Sequence, residues 1–169
     1  MKGKCQLGVT PHIRNSENDT GESPRLHPVR LRKILESDLP ILFEHQQEPE
    51  GNRLAVFPAR GRAAFMAHWH KIMADRKVMV RTILYQGQVA GYVMRFPWHG
   101  KQEVGYWIGK AFWGQGVATG ALSQFLRHCK TRPLHAGVAN QNLASRRVLE
   151  KCGFRTIGEE PEETVYRLE

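Results

Sequence analysis

Seven short segments of this chain carry apolar residues in runs or in alternation with polar ones, and each predicts a β-strand. The predicted strands are residues 29–34, 78–85, 89–96, 102–108, 134–139, 154–157 and 164–168. Apolar residues at helical spacing predict four helices, at residues 38–44, at 63–76, from 117 to near Pro133, and at 142–152. Residues 51–58 follow neither period, and we expect a loop there.

The order of these elements predicts the fold class. Short turns at residues 86–88 and 97–100 join the second, third and fourth strands, which indicates an antiparallel meander. A strand–helix–strand crossover follows it. We therefore expect one α/β (α+β) domain over residues 28–169, with a mixed, mostly antiparallel sheet of about six to seven strands and about four helices on both faces. Residues 1–27 are polar and lack periodicity, which predicts a flexible tail.

A glycine-bearing loop between the fourth strand and the next helix is the segment most informative about function. It reads Trp113-Gly114-Gln115-Gly116-Val117-Ala118. Glycines allow the backbone to approach a ligand closely, and the first turn of a helix leaves its N–H groups without partners. Those donors and the positive end of the helix dipole favour a phosphate or pyrophosphate. We therefore expect this loop to bind an anion.

The charge and composition of the chain limit the classes of binding partner that we expect. The net charge is +9, but the basic residues are spread along the chain, without a run of five or six and without interleaved aromatic residues. This distribution favours a small polyanionic ligand over a nucleic acid. Hydrophobic residues make up 41% of the chain, and none of the apolar runs is long enough to cross a membrane, so we expect no membrane partner.

The cysteines and histidines predict neither a disulfide nor a metal site. Cys5, Cys129 and Cys152 show no paired spacing, and an odd number of cysteines without a secretory signal predicts reduced thiols in a cytoplasmic protein. His68 and His70 are two residues apart on a predicted helix, so their side chains lie on different faces and cannot share a metal.

Two sequence blocks resemble the GNAT superfamily of N-acetyltransferases. The first, Phe112-Trp113-Gly114-Gln115-Gly116-Val117-Ala118, is similar to the family's cofactor loop, Arg/Gln-x-x-Gly-x-Gly/Ala. The second runs from Asn142-Leu143-Ala144-Ser145 to Lys151-Cys152-Gly153-Phe154, and it resembles a block of the RimJ/RimL branch, which acetylates ribosomal-protein N-termini. The resemblance covers roughly Val29 to Leu168. It implies transfer of acetyl from acetyl-CoA to a primary amine, of a small molecule or a protein N-terminus, by direct attack in a ternary complex without a metal.

The resemblance also implies where acetyl-CoA would bind. Backbone N–H groups of the glycine loop would hold the pyrophosphate, the splayed end of the fourth strand would pair with the pantetheine arm, and Asn142 would reach the thiol end. Trp113 departs from the Arg or Gln that usually begins the family's loop, so the backbone must supply the donors. The expected cofactor-binding residues are Trp107, Ile108, Gly109, Trp113, Gly114, Gln115, Gly116, Val117, Ala118, Asn142 and Ser145.

A proton donor and a base are implied as well. Many relatives place a Tyr seven residues after the equivalent of Asn142, but Leu149 stands there in this chain. A Ser takes that role in the RimJ/RimL branch, so we expect Ser145 to protonate the departing thiolate, although its hydroxyl could also complete the first turn of the helix. Glu103 is the expected base, with His99 and His135 as rivals.

Two other functions stay open from the sequence. The leucine at position 149 motivates a catalytically degenerate module that binds or senses acyl-CoA, and the charge alone motivates a nucleic-acid-binding protein. The sequence leaves the acceptor amine open, and it permits a monomer or a homodimer. We expect the acceptor side to be built by the first two helices and the turns at residues 97–100 and 159–163, whose glutamates could attract a cationic amine.

Overall fold

The computed structural model describes residues 29–169, so the tail predicted for residues 1–27 lies outside the described residues. Seven strands form one sheet: β1 Arg30–Arg32, β2 Met79–Tyr85, β3 Gln88–Trp98, β4 Lys101–Ile108, β5 Leu134–Ala139, β6 Arg155–Glu159 and β7 Glu163–Leu168. Five α-helices accompany them in the described part: α1 Leu39–His45, α2 Pro49–Ala55, α3 Arg62–Ala74, α4 Val117–His128 and α5 Leu143–Lys151. The predicted α/β fold with a mixed sheet is confirmed.

The sheet divides into two halves that meet at a single pair of residues. Its strand order is β1-β2-β3-β4-β5-β7-β6, and every neighbouring pair is antiparallel except β4 and β5. Those two parallel strands pair only at Glu103 and His135, near their N-terminal ends. From there to their C-terminal ends they separate, which leaves a wedge in the middle of the sheet.

Hydrophobic clusters cover both faces of the sheet. On one face, Val104, Tyr106 and Ile108 of β4 pack with buried residues of α4 and α5. On the other face, Trp107 packs with buried residues of α1 and α3. Because successive side chains of a strand point to opposite faces, β4 contributes to both clusters and fixes the two helical layers relative to the wedge.

Two local predictions were wrong. The loop expected at residues 51–58 is largely helix α2, because Pro49 occupies its first turn, the Glu48 side chain accepts a hydrogen bond from the backbone N–H of Glu50, and Gly51 is buried against Trp107. The turn expected at residues 97–100 is shorter. Strand β3 continues through Trp98, and only two residues with positive φ reverse the chain.

A buried carboxylate fixes α1 to the sheet. The Asp38 side chain accepts hydrogen bonds from both terminal nitrogens of Arg32, each 2.6 Å long, and from the Thr82 hydroxyl at 2.7 Å. Burial raises the pKa of the Asp38 carboxyl, but these hydrogen bonds outweigh it, so the pKa lies below its ordinary value. The carboxylate therefore stabilises the fold at neutral pH, and this contribution is lost as the pH falls through the lowered pKa.

Replacing Asp38 by alanine should lower the free energy of unfolding at pH 7 by about 3 kcal/mol, because Arg32 and Thr82 lose their partner. Urea denaturation measures the effect. Asp75 is an exposed aspartate, and its alanine variant is the control, with an expected loss below about 1 kcal/mol. Equal urea midpoints for the Asp38 variant and the unmodified protein would contradict the stabilising role of the Asp38 carboxylate.

Candidate active site

The glycine loop is held against the end of β4 by its own side chains. The indole N–H of Trp113 donates to the carbonyl oxygen of Ile108 at 2.8 Å, and the Gln115 side-chain amide donates to the carbonyl oxygen of Ala111 at 2.9 Å. Gly114 and Gly116 have φ angles of 72° and 73°, a left-handed conformation that favours glycine. Trp113 therefore has a structural contact in the place where relatives carry Arg or Gln.

The backbone donors of the loop are available to a ligand. Helix α4 begins at Val117, and its first backbone hydrogen bond runs from the N–H of Gly120 to the carbonyl oxygen of Gly116. In residues 29–169, no hydrogen bond of good geometry runs from the N–H groups of residues 114–119 to a protein acceptor, although residues 113–116 form turns. The side chains of Val117 and Ala118 are buried, which fixes the start of the helix while its N–H groups stay unpaired. The arrangement suits an anion.

A cleft of about 80 Å³ lies between this loop and α5. Its loop side consists of Gly114, Gly116, Ala118 and Thr119, and its α5 side consists of Ala144, Arg147, Val148 and Lys151. Two cations thus line the cleft opposite the glycines. Sequence reasoning missed both, although their spacing of four residues on a predicted helix was visible.

The wedge between β4 and β5 offers backbone groups and few side chains. Trp107 and Ile108 are buried, and the Trp107 indole N–H donates to the carbonyl oxygen of His45 at 3.1 Å. The N–H of Gly109 donates to Ala90 on β3 at 2.8 Å, so it is already used. Because successive N–H groups of a strand point to opposite edges, the N–H of Ile108 faces the wedge.

Helix α5 begins at the open end of the wedge. Asn142 is 1% exposed, and its side-chain oxygen accepts a hydrogen bond from the backbone N–H of Ser145 at 3.1 Å. The predicted helix cap is therefore Asn142, and the backbone N–H of Ser145 donates to it. Leu149 is fully buried in the core, so the position of the usual tyrosine has only a packing role.

The Ser145 side chain faces the sheet. Ser145 is fully buried, and the equally buried Tyr106 side chain of β4 lies beside it. Burial raises the pKa of the Tyr106 hydroxyl well above its ordinary value, and the contact with Ser145 offsets only part of that shift. Tyr106 therefore stays protonated at neutral pH. This neighbour of Ser145 could not be found by motif, since it lies on a different element.

The candidate bases are divided between two places. Glu103 and His135 are the pair at which β4 and β5 meet, and strand alternation puts both side chains on the face opposite α4 and α5. His135 is 8% exposed, and burial followed by the charge of Lys101 lowers the pKa of its imidazole, so that it is neutral at pH 7. His99 is exposed in the turn before β4.

A second cleft, of about 720 Å³, lies beyond the open end of the wedge. Three segments form its walls: the C-terminal part of α2 with the residues that follow it, the segment before α5, and the turn between β6 and β7. The lining residues are Asn52, Arg53, Val56, Phe57, Pro58, Asn140, Gln141, Pro161 and Glu162. The Gln141 side-chain amide donates to the carbonyl oxygen of Arg53 at 2.7 Å, which ties two of these walls together. The 97–100 turn, at the N-terminal end of β4, contributes none of these residues.

Residues 29–169 contain neither a metal-binding cluster nor a membrane-spanning helix. Groups of three or more His, Cys, Asp or Glu side chains that could hold a metal ion are absent there. The helices of that part are all too short or too polar to span a membrane.

The sequence is similar to a known protein family and to a curated relative. The sequence model of the Acetyltransferase (GNAT) domain matches residues 29–155. YdaF of Bacillus subtilis (strain 168), named as a candidate ribosomal N-acetyltransferase, is 28% identical over 106 residues, which are 57% of this chain and 57% of that relative. The match thus spans little more than half of the relative.

Solved structures share the same fold. The microcin C7 self-immunity acetyltransferase MccE, in complex with acetyl-CoA and AMP, superimposes with a TM-score of 0.69 at 18% identity, over 83% of this chain and 92% of that one. RimL, the ribosomal L7/L12 alpha-N-protein acetyltransferase in complex with coenzyme A, gives 0.70 at 18% identity, over 83% and 93% of the two chains. At these identities the likeness shows the fold alone.

The α/β fold, with its split β4–β5 pair followed by a glycine loop, is shared with these solved structures. Because the domain model matches most of the sequence, the chain belongs to the GNAT acetyltransferase family. The predicted family is confirmed, and both YdaF and RimL are consistent with the RimJ/RimL-like branch.

Proposed function

We propose that this protein transfers an acetyl group from acetyl-CoA to a primary amine by direct attack within a ternary complex. The observation that carries the proposal is the glycine loop at the open end of the β4–β5 wedge, with its unpaired backbone donors. Membership of the GNAT family supports acetyl-CoA as the donor. A cytoplasmic location and a monomeric or homodimeric state stay predictions.

In this proposal the backbone holds the cofactor. The N–H groups of Gln115, Gly116, Val117 and Ala118 bind the pyrophosphate together with the dipole of α4. The pantetheine arm enters the wedge and pairs with the free edge of β4 near Ile108, as a peptide adds to a sheet edge. Thioester binding needs few side chains here, because the separated strands leave main-chain groups unpaired.

Of the expected cofactor-binding residues, several would act indirectly. Trp113 holds the loop to the end of β4, and Trp107 is anchored to α1 through the carbonyl oxygen of His45. Gly109 uses its N–H within the sheet. Asn142 orients the first turn of α5 toward the thiol end of the cofactor. We propose that these four residues hold the loop, the strand and the helix of the site in position.

The chemistry needs one base and one acid. The amine loses a proton through water molecules that lead along the wedge to Glu103 at its closed end, and its nitrogen attacks the thioester carbonyl carbon. The carbon–sulfur bond then breaks. The thiolate takes a proton from the Ser145 hydroxyl, and the serine regains a proton from the attacking nitrogen, which must lose its second proton to become a neutral amide. His135, the partner of Glu103 across the strand pair, is the rival base, since its lowered pKa keeps it neutral and able to accept a proton.

The second cleft is the proposed entry for the acceptor. It opens beside Asn140 and Gln141, directly before Asn142, and so reaches the same end of the wedge from the side opposite α4. Glu162 lines it, and Glu160 lines a smaller pocket beside it, so carboxylates are available to a cationic amine. The RimL likeness supports a protein N-terminus as one acceptor class, and small-molecule amines are the other.

A thiol-release assay tests the proposal. The protein is incubated with acetyl-CoA and a panel of amines, N-terminal peptides and polyamines, and free coenzyme A is followed with a thiol reagent. We expect amine-dependent release for at least one class of acceptor. Coenzyme A binding without release above background for every acceptor would favour the alternative suggested by Leu149, a module that binds acyl-CoA without turnover.

A further inference from the structure

We infer that Arg147 and Lys151 form a subsite for the 3′-phosphate of coenzyme A, so that the protein distinguishes coenzyme A from 3′-dephospho-coenzyme A. The inference rests on the proposed function, because it assumes that the glycine loop holds the pyrophosphate. It adds two side chains on α5 to a site otherwise built from main chain.

Geometry brings the two cations together. Arg147 and Lys151 are four residues apart on α5, which places them on one helix face about 6 Å apart along the axis. Both line the cleft whose opposite wall contains Gly114 and Gly116. A phosphate that lies in this cleft can therefore meet the loop donors and the two cations at once.

Neither cation has another partner in the described part of the chain. Both side chains are exposed, and among residues 29–169 neither forms an ion pair or a hydrogen bond through its side chain. Their neighbour Arg146 differs, since it donates to the Tyr166 hydroxyl at 3.0 Å and lies 3.7 Å from the Glu159 carboxylate. Arg146 thus serves the fold, and the charges of Arg147 and Lys151 remain available to a ligand.

The chemistry of coenzyme A supplies the matching group. Beyond the pyrophosphate, on the side away from pantetheine, lies a ribose whose 3′-phosphate is a monoester carrying about −1.5 to −2 charge at pH 7. With the pantetheine arm in the wedge, this end of the molecule extends from Gly116 into the cleft. The Arg147 guanidinium can bind a phosphate through two parallel N–H donors, and Lys151 adds a point charge.

Calorimetric titration with coenzyme A and with 3′-dephospho-coenzyme A tests the inference. The unmodified protein should bind coenzyme A at least ~30-fold more tightly, since two charge-assisted contacts are lost with the 3′-phosphate. The double variant Arg147→Gln/Lys151→Gln should lose this preference. Its affinity for coenzyme A should fall ~30-fold, while that for 3′-dephospho-coenzyme A stays within about threefold.

A matched control removes the same charge elsewhere. Arg127 is exposed in the last turn of α4 and Lys130 is exposed just beyond its end, and Arg127→Gln/Lys130→Gln should leave the preference unchanged. Equal affinities of the unmodified protein for the two nucleotides would overturn the inference and leave the proposed function intact. An equal loss of affinity for both nucleotides in the double variant would overturn it too. Failure of the unmodified protein to bind either nucleotide would instead contradict the proposed function.

Discussion

Replacing Gly116 by valine is expected to abolish the thermal stabilisation that coenzyme A gives to this protein. At a concentration 100 times the dissociation constant, the cofactor should stabilise the unmodified protein by about 2.7 kcal/mol. In the variant, a branched side chain stands beside the donors of Val117 and Ala118. The loop must also leave its left-handed conformation or remain strained, so the N–H groups no longer converge on one anion.

Gly100 provides a matched control for this substitution. Its φ of 77° is close to the 73° of Gly116, and at both positions an added Cβ would meet no atom of residues 29–169 within 4 Å. Gly100 lies in the turn before β4, and the eight residues of that strand, which span about 26 Å, separate it from the segment that leads into the glycine loop. Each valine variant should lose about 1–3 kcal/mol of stability through backbone strain, but only Gly116→Val should lose the response to the cofactor.

The comparison of melting temperatures with and without coenzyme A decides the matter. If Gly116→Val gains as much stability from the cofactor as Gly100→Val, the loop does not hold the pyrophosphate. If both variants lose the response, the effect follows strain and not position.

Replacing Ser145 by alanine should lower kcat by about 100-fold, the typical contribution of a positioned proton donor. The KM for acetyl-CoA should change by less than about threefold. The helix start should survive, because the capping hydrogen bond uses the backbone N–H of Ser145 and the side chain of Asn142. Steady-state kinetics with an acceptor from the thiol-release assay measure both constants.

Two further variants make this test selective. Ser123→Ala removes an exposed serine from α4 and should leave kcat unchanged. Tyr106→Phe removes the hydroxyl beside Ser145 and should lower kcat less than Ser145→Ala, since the serine is kept. A fall in affinity equal to the fall in kcat would make Ser145 a binding residue, and an unchanged kcat would exclude it as the donor.

Most of the fold could be predicted from local pattern, and the exceptions have a physical cause. The seven strands and four of the five helices of the described part follow the period of their apolar residues. Helix α2 does not, because Pro49–Ala55 is short and carries few apolar residues. Its start depends on a glutamate cap, and the burial of Gly51 comes from the distant Trp107. A contact between residues so far apart in sequence has no local signature.

Some features of the candidate site could likewise be predicted from local sequence, and others could not. The glycine loop and the Asn142 cap were visible because each consists of neighbouring residues whose types report backbone conformation. The pairing of Glu103 with His135 was not, since it depends on where two parallel strands begin to separate. The cleft between Gly116 and Lys151 likewise depends on how closely α5 approaches the loop. The four-residue spacing of Arg147 and Lys151 predicts that they share one face of α5, but it does not predict that the glycine loop lies opposite that face.

A crystal structure of the protein soaked with coenzyme A tests the central claim most directly. The account predicts pyrophosphate oxygens within about 3 Å of the backbone nitrogens of residues 115–118, with the pantetheine arm lying between β4 and β5. A nucleotide bound elsewhere, with the loop donors facing solvent, would contradict it.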